Sequence, residues 1–227
     1  MLIVKGLAGG LFQVALFAAF LLIPAGTWHW PRAIQFLIAY SVLVSFSIVA
    51  LALVAPASLE ARLVAPAAKS QPKADRVASA LLFTSILAFM AFIPIDVFHL
   101  HLFPAPTLGV SIFGAVVFLA GFGVMLLTLY QNAFAAPIVK DQADRGQVVI
   151  DTGLYSRVRH PFYVGLLLFL IGLALWLESY ASALAVSAVF AALVARIHAE
   201  EKTLQETLPG YPEYMSKVRY RLVPGIW

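Results

Sequence analysis

The residues best suited to chemistry form one polar run in the C-terminal third, Gly153-Leu154-Tyr155-Ser156-Arg157-Val158-Arg159-His160-Pro161-Phe162-Tyr163-Val164-Gly165, followed after an apolar hairpin by the pair Glu200-Glu201. Arg159 offers a planar fork that can hold a carboxylate by two hydrogen bonds. His160 can donate or accept near neutral pH. Tyr155 and Tyr163 present aromatic faces with a hydroxyl tip, and Gly153 and Gly165 let a ligand approach the backbone. Pro161 biases His160 out of helical geometry and suits the first turn of a helix, so the Arg-His pair stands where backbone N–H groups and the helix dipole favour an anion. The glutamates could hold a cationic or polyhydroxylated group. Together these residues suit a zwitterionic ligand carrying a carboxylate, a positive centre and a sugar. The alternative reading is a salt bridge between Arg159 and one of the glutamates that fixes the mouth of the hairpin.

The elements that must position these residues are membrane helices. Charged residues make up 11% of the chain and hydrophobic residues 62%, and the mean hydropathy is +0.93. A spanning helix needs roughly 20 mostly apolar residues, and six stretches qualify or nearly so: about 7–24, 34–55, 78–95, 108–135, 162–178 and 180–197. The last two are short and separated by little more than Glu178-Ser179, which predicts a tight helical hairpin. The fold class is all-α, a polytopic transmembrane bundle with a C-terminal segment enclosing a site.

The charge map agrees with this count. With six spans, 14 of the 15 Lys and Arg residues fall on one face: Lys5, Arg62, Lys69, Lys73, Arg76, Lys140, Arg145, Arg157, Arg159, Arg196, Lys202, Lys217, Arg219 and Arg221. Arg32 alone falls on the other. Positive residues stay cytoplasmic, so both termini and the polar run are expected there. The net charge of +4 then reflects topology and contact with anionic lipid, not nucleic-acid binding.

Other features carry less. The apolar run after Lys5 is long for a signal peptide and reads as an uncleaved helix. Trp28, His29 and Trp30 read as an interfacial aromatic belt. Gly6, Gly9 and Gly10 permit close helix packing. The stretch 56–77 reads as a solvated connector, and Val148-Val149-Ile150 as a short extended strip after the charged run 137–147. Asp96, His99 and His101 contain a His-x-His pair, yet no fourth ligand is evident, so no metal is assigned. The chain has no cysteine, hence no disulfide and no thiolate chemistry.

The motifs Arg159-His160-Pro161-x-Tyr163-x-Gly165, Glu200-Glu201-x-x-Leu204, Gly210-Tyr211-x-x-Tyr214 and Val218-Arg219-Tyr220-Arg221-Leu222-x-Pro224 occur together and in order. Over about residues 130–227 the chain resembles the isoprenylcysteine carboxyl methyltransferases and the related phospholipid methyltransferases. The resemblance implies a membrane enzyme using S-adenosylmethionine from the cytosol, with S-adenosylhomocysteine as product, and a lipophilic acceptor from the bilayer. It divides the single integral membrane domain into helices over 1–106 and a methyltransferase-like region over 107–227. Carried onto this chain, the cofactor-binding residues are Gln147, Val149, Gly153, Tyr155, Arg159, His160, Tyr163, Glu200 and Glu201. Arg159, His160 and Glu201 are the catalytic candidates. Asn132, Arg219 and Arg221 are candidates for the acceptor side, although the basic and aromatic tail could equally anchor on lipid headgroups.

One position departs from the family pattern. Isoprenylcysteine methyltransferases usually place a His six residues before the Gly of this turn, and Gln147 stands there. Gln can hydrogen-bond but cannot titrate, which turns the expectation towards a prokaryotic-type member, in an inner membrane, with an acceptor other than a prenylated cysteine. The competing functions are an NADPH-dependent membrane reductase of the sterol-reductase type and a non-enzymatic membrane scaffold or transporter. The chain looks short for such a reductase and lacks an evident basic cluster for a 2′-phosphate. Ionisable residues of a mid-membrane transport path are not apparent either.

Overall fold

The computed structural model describes residues 1–63, 73–134 and 147–227. Lys69, Lys140 and Arg145 of the charge map, with most of the charged run 137–147, lie outside the described residues. The elements are α1 (Leu2–Ala25), α2 (Pro31–Val54), α3 (Pro56–Leu63), α4 (Lys73–Ile95), α5 (Leu108–Gln131), α6 (Pro161–Trp176), α7 (Tyr180–Thr207) and α8 (Tyr211–Lys217). A π-helical turn, Asp96–Leu100, extends α4, and a 3₁₀ turn, Gly153–Ser156, precedes α6. No strand occurs among the described residues, and 147–150 is an irregular segment. Helices α1, α2, α4, α5 and α7 are long and apolar enough to cross a membrane. Helix α6 has 16 residues and is short as expected, whereas α7, expected as a short helix over 180–197, runs 28 residues to Thr207 because its polar turns continue the helix past the apolar run. The protein is thus an integral membrane helical bundle.

Helix ends follow their residues. Pro31 and Pro161 occupy first helical turns, where the missing N–H costs nothing. Gly26 ends α1 in the left-handed conformation at φ 66°, its N–H bonded to Ile23 O. Ser179 caps α7 by accepting from Ser182 N, and its hydroxyl donates to Asp96 at 2.6 Å. Arg32 pairs with Glu178 at 3.1 Å and lies over the Trp176 ring. The start of α2, the end of α4 and the α6–α7 turn therefore meet at one end of the bundle. The other described cations gather at the opposite end, which is the partition the charge map implied. His99 donates to Pro24 O at 2.8 Å, and Asp96 also accepts from Leu102 N. Two members of the His-x-His cluster thus serve as local connectors.

Inside a bilayer, apolar residues gain little by leaving lipid for protein, so helices associate through close packing. The tightest contact joins α5 to α6. Gly114 and Gly121 on α5 face Gly172 and Gly165 on α6, each pair seven residues apart. A Cβ at Gly172 would lie 2.3 Å from Phe118 N, and one at Gly121 would lie 2.4 Å from Phe169 N. Gly165 meets Gly121 O and Met125, so its small size admits a helix, not a ligand. Gly6 and Gly10 play the expected packing role against Ile48 and Val44 of α2.

The stretch expected to be a solvated connector begins with helix α3, which is packed against the bundle. Ser58, Leu59 and Ala61 are buried, and the Ser58 hydroxyl donates to Leu129 O at 2.7 Å. Low apolar content hid this helix, since its mean composition is amphipathic and only one face meets the core.

Gly172→Ala should lower the thermal unfolding midpoint in detergent, because overpacking against backbone costs about 1–3 kcal/mol. Gly123→Ala, where a Cβ would meet nothing within 4 Å, should leave it unchanged or raise it. Equal midpoints for the two variants would refute the close α5–α6 contact.

Candidate active site

The polar run turns sharply before α6. Gly153 sits at φ 59°, a left-handed position that a side chain resists. Its would-be Cβ falls 2.4 Å from the Gln131 side chain, which in turn accepts from Leu154 N at 2.9 Å. Gly153 therefore lets the loop close on the end of α5, and a protein side chain occupies the space reserved for a ligand in the sequence reading.

Beyond this turn, Arg159 and His160 are buried and bound at both ends. Their backbone N–H groups donate to Tyr220 O and Arg221 O at 2.9 and 3.0 Å, which lays the C-terminal tail along the entrance to α6. The Arg159 side chain donates from Nε to Glu201 Oε1 at 2.7 Å, and from Nη1 to Val218 O and Arg219 O at 2.8 Å each. His160 Nε2 donates to the same Glu201 oxygen at 3.1 Å, and Arg221 Nε to the other at 2.9 Å. Glu201 is 2% exposed and is the hub of this cage. Arg159 is left with Nη2 as the nitrogen making no hydrogen bond among the described residues.

A neighbouring network is built on Glu200. The Tyr163 hydroxyl donates to Glu200 Oε2 at 2.7 Å, and Arg196 Nη1 lies 3.6 Å from that oxygen. Arg196 is itself ion-paired to Asp75 of α4, and both are buried. Glu200 Oε1 has no hydrogen-bond partner among the described residues. His160 stacks on Tyr163 with ring centres 5.6 Å apart.

A cavity of about 700 Å³ opens beside these groups. Its polar end is walled by Tyr155, Arg159, His160, Tyr163, Glu200 and the segment 147–150. From there it runs between α1, α2, α4 and α5 as an apolar arm. Gln147, Val149 and Asn132 also line it. Of the expected site residues, Gly153, Glu201, Arg219 and Arg221 do not. Between the two glutamates, Glu200 faces the cavity and Glu201 faces the cage. Asn132 Nδ2 donates to the Tyr155 hydroxyl at 3.0 Å. Arg221 lies over Trp227, while Arg219 is exposed beside Arg157 and Lys217 on a separate shallow surface.

The tail lies against the site. Tyr211 and Tyr214 of α8 are buried with Leu208 and Val218, and Val149 packs on them. Tyr214 donates to Tyr155 O at 2.8 Å. Burial pushes the hydroxyls of Tyr155, Tyr211 and Tyr214 above their ordinary pKa, so they remain protonated donors. Three participants escaped the sequence reading as site residues. Asp75, buried in α4, pairs with Arg196, and Arg62 of α3 lines the cavity. Asp75 stood among basic residues of a presumed connector, and no motif marks it.

Residues 110–209, from α5 to the end of α7, match the family model described as phospholipid methyltransferase. Over these residues the chain is similar to the phospholipid methyltransferases. A search of curated proteins gives no match to the chain. The matched residues supply the α5–α6 contact, the cage glutamate and Glu200. The apolar arm, however, is walled largely by α1, α2 and α4, outside the matched residues.

Removing one partner of a buried ion pair typically costs about 3–5 kcal/mol. Glu201→Ala and Asp75→Ala should each lower the unfolding midpoint by clearly more than Glu213→Ala, an exposed carboxylate on α8. Midpoints equal to the Glu213→Ala control would remove the cage and the α4–α7 pair from the account of stability.

Proposed function

We propose that the protein is an S-adenosylmethionine-dependent methyltransferase acting on a lipophilic acceptor drawn from the bilayer. One observation carries this reading: a single cavity joins a polar end, built by the phospholipid methyltransferase region, to an apolar arm between membrane helices. A polar co-substrate and an apolar acceptor can thus meet without either crossing an unsuitable environment.

The groups present suit the donor. Glu200 Oε1 can accept from sugar hydroxyls or face a cationic centre, and Arg159 Nη2 can donate to a carboxylate. The rings of Tyr155, His160 and Tyr163 offer faces to a sulfonium or a flat base. When bound, S-adenosylmethionine supplies an electrophilic methyl group, released to a nucleophile as its sulfur becomes a neutral thioether. The chain's own part is to align the two partners and keep water out, which the buried α8 tyrosines and the tail favour. An anionic acceptor needs no proton removed. For an amine or thiol, a neutral His160 that donates Nε2–H to Glu201 keeps its lone pair on Nδ1, where it can take a proton. Arg159 and Glu201 act in this reading as positioning residues. The basic end faces the cytosol, in keeping with the positive-inside rule, and a prokaryotic inner membrane fits the resemblance.

Titration calorimetry with S-adenosylhomocysteine tests the reading. Wild type should bind saturably, and Glu200→Gln should bind roughly tenfold or more weakly, since a hydrogen bond to a charged group contributes about 1.5–3 kcal/mol. No binding by folded wild type, or binding of NADPH in its place, would overturn it.

A further inference from the structure

Three arginines line the cavity: Arg62, Arg159 and Arg196. Arg159 is committed to Glu201 and Arg196 to Asp75. Arg62 differs. Among the described residues it has no carboxylate partner and no hydrogen bond. Its recorded contact is with an aromatic face, the guanidinium carbon lying 5.5 Å from the centre of the Phe162 ring. It is half-buried at the end of α3, a helix pinned to the bundle through Ser58 and Leu59. Burial lowers its pKa, the Tyr40 side chain being the charged-state neighbour that opposes this, yet a guanidinium stays protonated in proteins. A cation held among apolar groups without a counter-charge is costly, and an anion brought to it is correspondingly favoured.

The surroundings say what kind of anion. The cavity wall follows α1 from Gly6 to Phe17, a rise of about 16 Å at ~1.5 Å per residue. That is close to half of a hydrocarbon core roughly 30 Å thick, the depth of one leaflet. The arm ends on packed aromatic rings: Tyr40 lies 5.0 Å from Phe17, 6.2 Å from Phe122 and 5.9 Å from Phe169, centre to centre. At about 700 Å³ the whole cavity falls within the usual range for one small-molecule site. Shared with a methyl donor, it leaves room for one slender chain.

We infer that Arg62 is the acceptor-positioning residue: it holds the anionic group, carboxylate or phosphate, of a single-chain amphiphile whose tail fills the arm down to the Tyr40 floor. This rests on the methyltransferase reading and adds to it a role for the N-terminal helices. It places selection of the acceptor in α3, away from Arg219 and Arg221, which do not line the cavity. Phe162, first neighbour of Pro161, would then link the anion anchor to the start of α6.

The test is ligand binding to the full chain in a neutral detergent, with and without S-adenosylhomocysteine. The probes are laurate, lauryl phosphate, lauryl alcohol, laurylamine, acetate and inorganic phosphate. Wild type should bind the two anionic amphiphiles at least about tenfold more tightly than the alcohol or amine, the scale of one charge-assisted contact. Arg62→Gln should abolish that preference while leaving lauryl alcohol binding and S-adenosylhomocysteine binding within about twofold of wild type. Arg62→Lys should restore part of it, and Arg76→Gln, which removes an exposed charge away from the cavity, should not alter it. The inference is overturned by a wild type without anion preference, by an Arg62→Gln variant that keeps the preference, or by acetate and inorganic phosphate binding as tightly as the amphiphiles. The wild-type comparison decides the matter even if Arg62→Gln does not fold. Failure of S-adenosylhomocysteine to bind wild type, with the anion preference present and dependent on Arg62, would refute the methyltransferase reading and leave the anchor standing.

Discussion

The structure depends on one buried carboxylate. Glu201 accepts from Arg159, His160 and Arg221 at once, and those partners come from two places: the approach to α6 and, beyond α7, the C-terminal tail. A carboxylate so enclosed would be untenable alone, and each of its partners would be untenable without it. The mutual requirement fixes where α6 starts and folds the tail back over the entrance. The two carbonyls bound by Arg159 Nη1 extend the same constraint into residues 218 and 219.

The rest of the bundle supplies a frame on which that cage can be precise. Glycines on α5 and α6 bring two backbones into direct contact, and this carries Gln131 to the Gly153 turn. The Asp75–Arg196 pair then ties α4 to α7 just below Glu200. Glu200 is thereby held by Tyr163 from one side while it keeps one oxygen towards the cavity. Adjacent glutamates on one helix have acquired opposite tasks because successive residues point about 100° apart around its axis.

In the proposed function the cavity's two ends answer two solubilities. Its polar end lies in the region matched to the phospholipid methyltransferases, and its apolar arm lies mostly between helices outside that match. A division of labour follows, in which the C-terminal region holds the methyl donor and the N-terminal helices measure the acceptor. In that reading Arg62 of α3, which has no carboxylate partner among the described residues, serves the second task.

The sequence by itself determined the class of fold, the tight turn between α6 and α7, the gathering of charge at one end and the resemblance of the C-terminal region to membrane methyltransferases. These depend on local quantities: runs of apolar residues long enough to span lipid, loop charge, and motifs contiguous in the chain. It also isolated Arg159, His160, Tyr163 and the glutamate pair as the polar residues that matter. Only the tertiary structure decided what each of them touches. The Arg159 fork, legible as a carboxylate binder, is taken up by Glu201 and the tail. Gly165 serves helix contact, and Arg219 and Arg221 stand outside the cavity. Arg62 lines it and Asp75 pairs with Arg196 at its wall, both from segments that read as a connector. Side-chain partners are set by which helix faces meet, and where every helix is apolar nearly all round, periodicity cannot say which face that is.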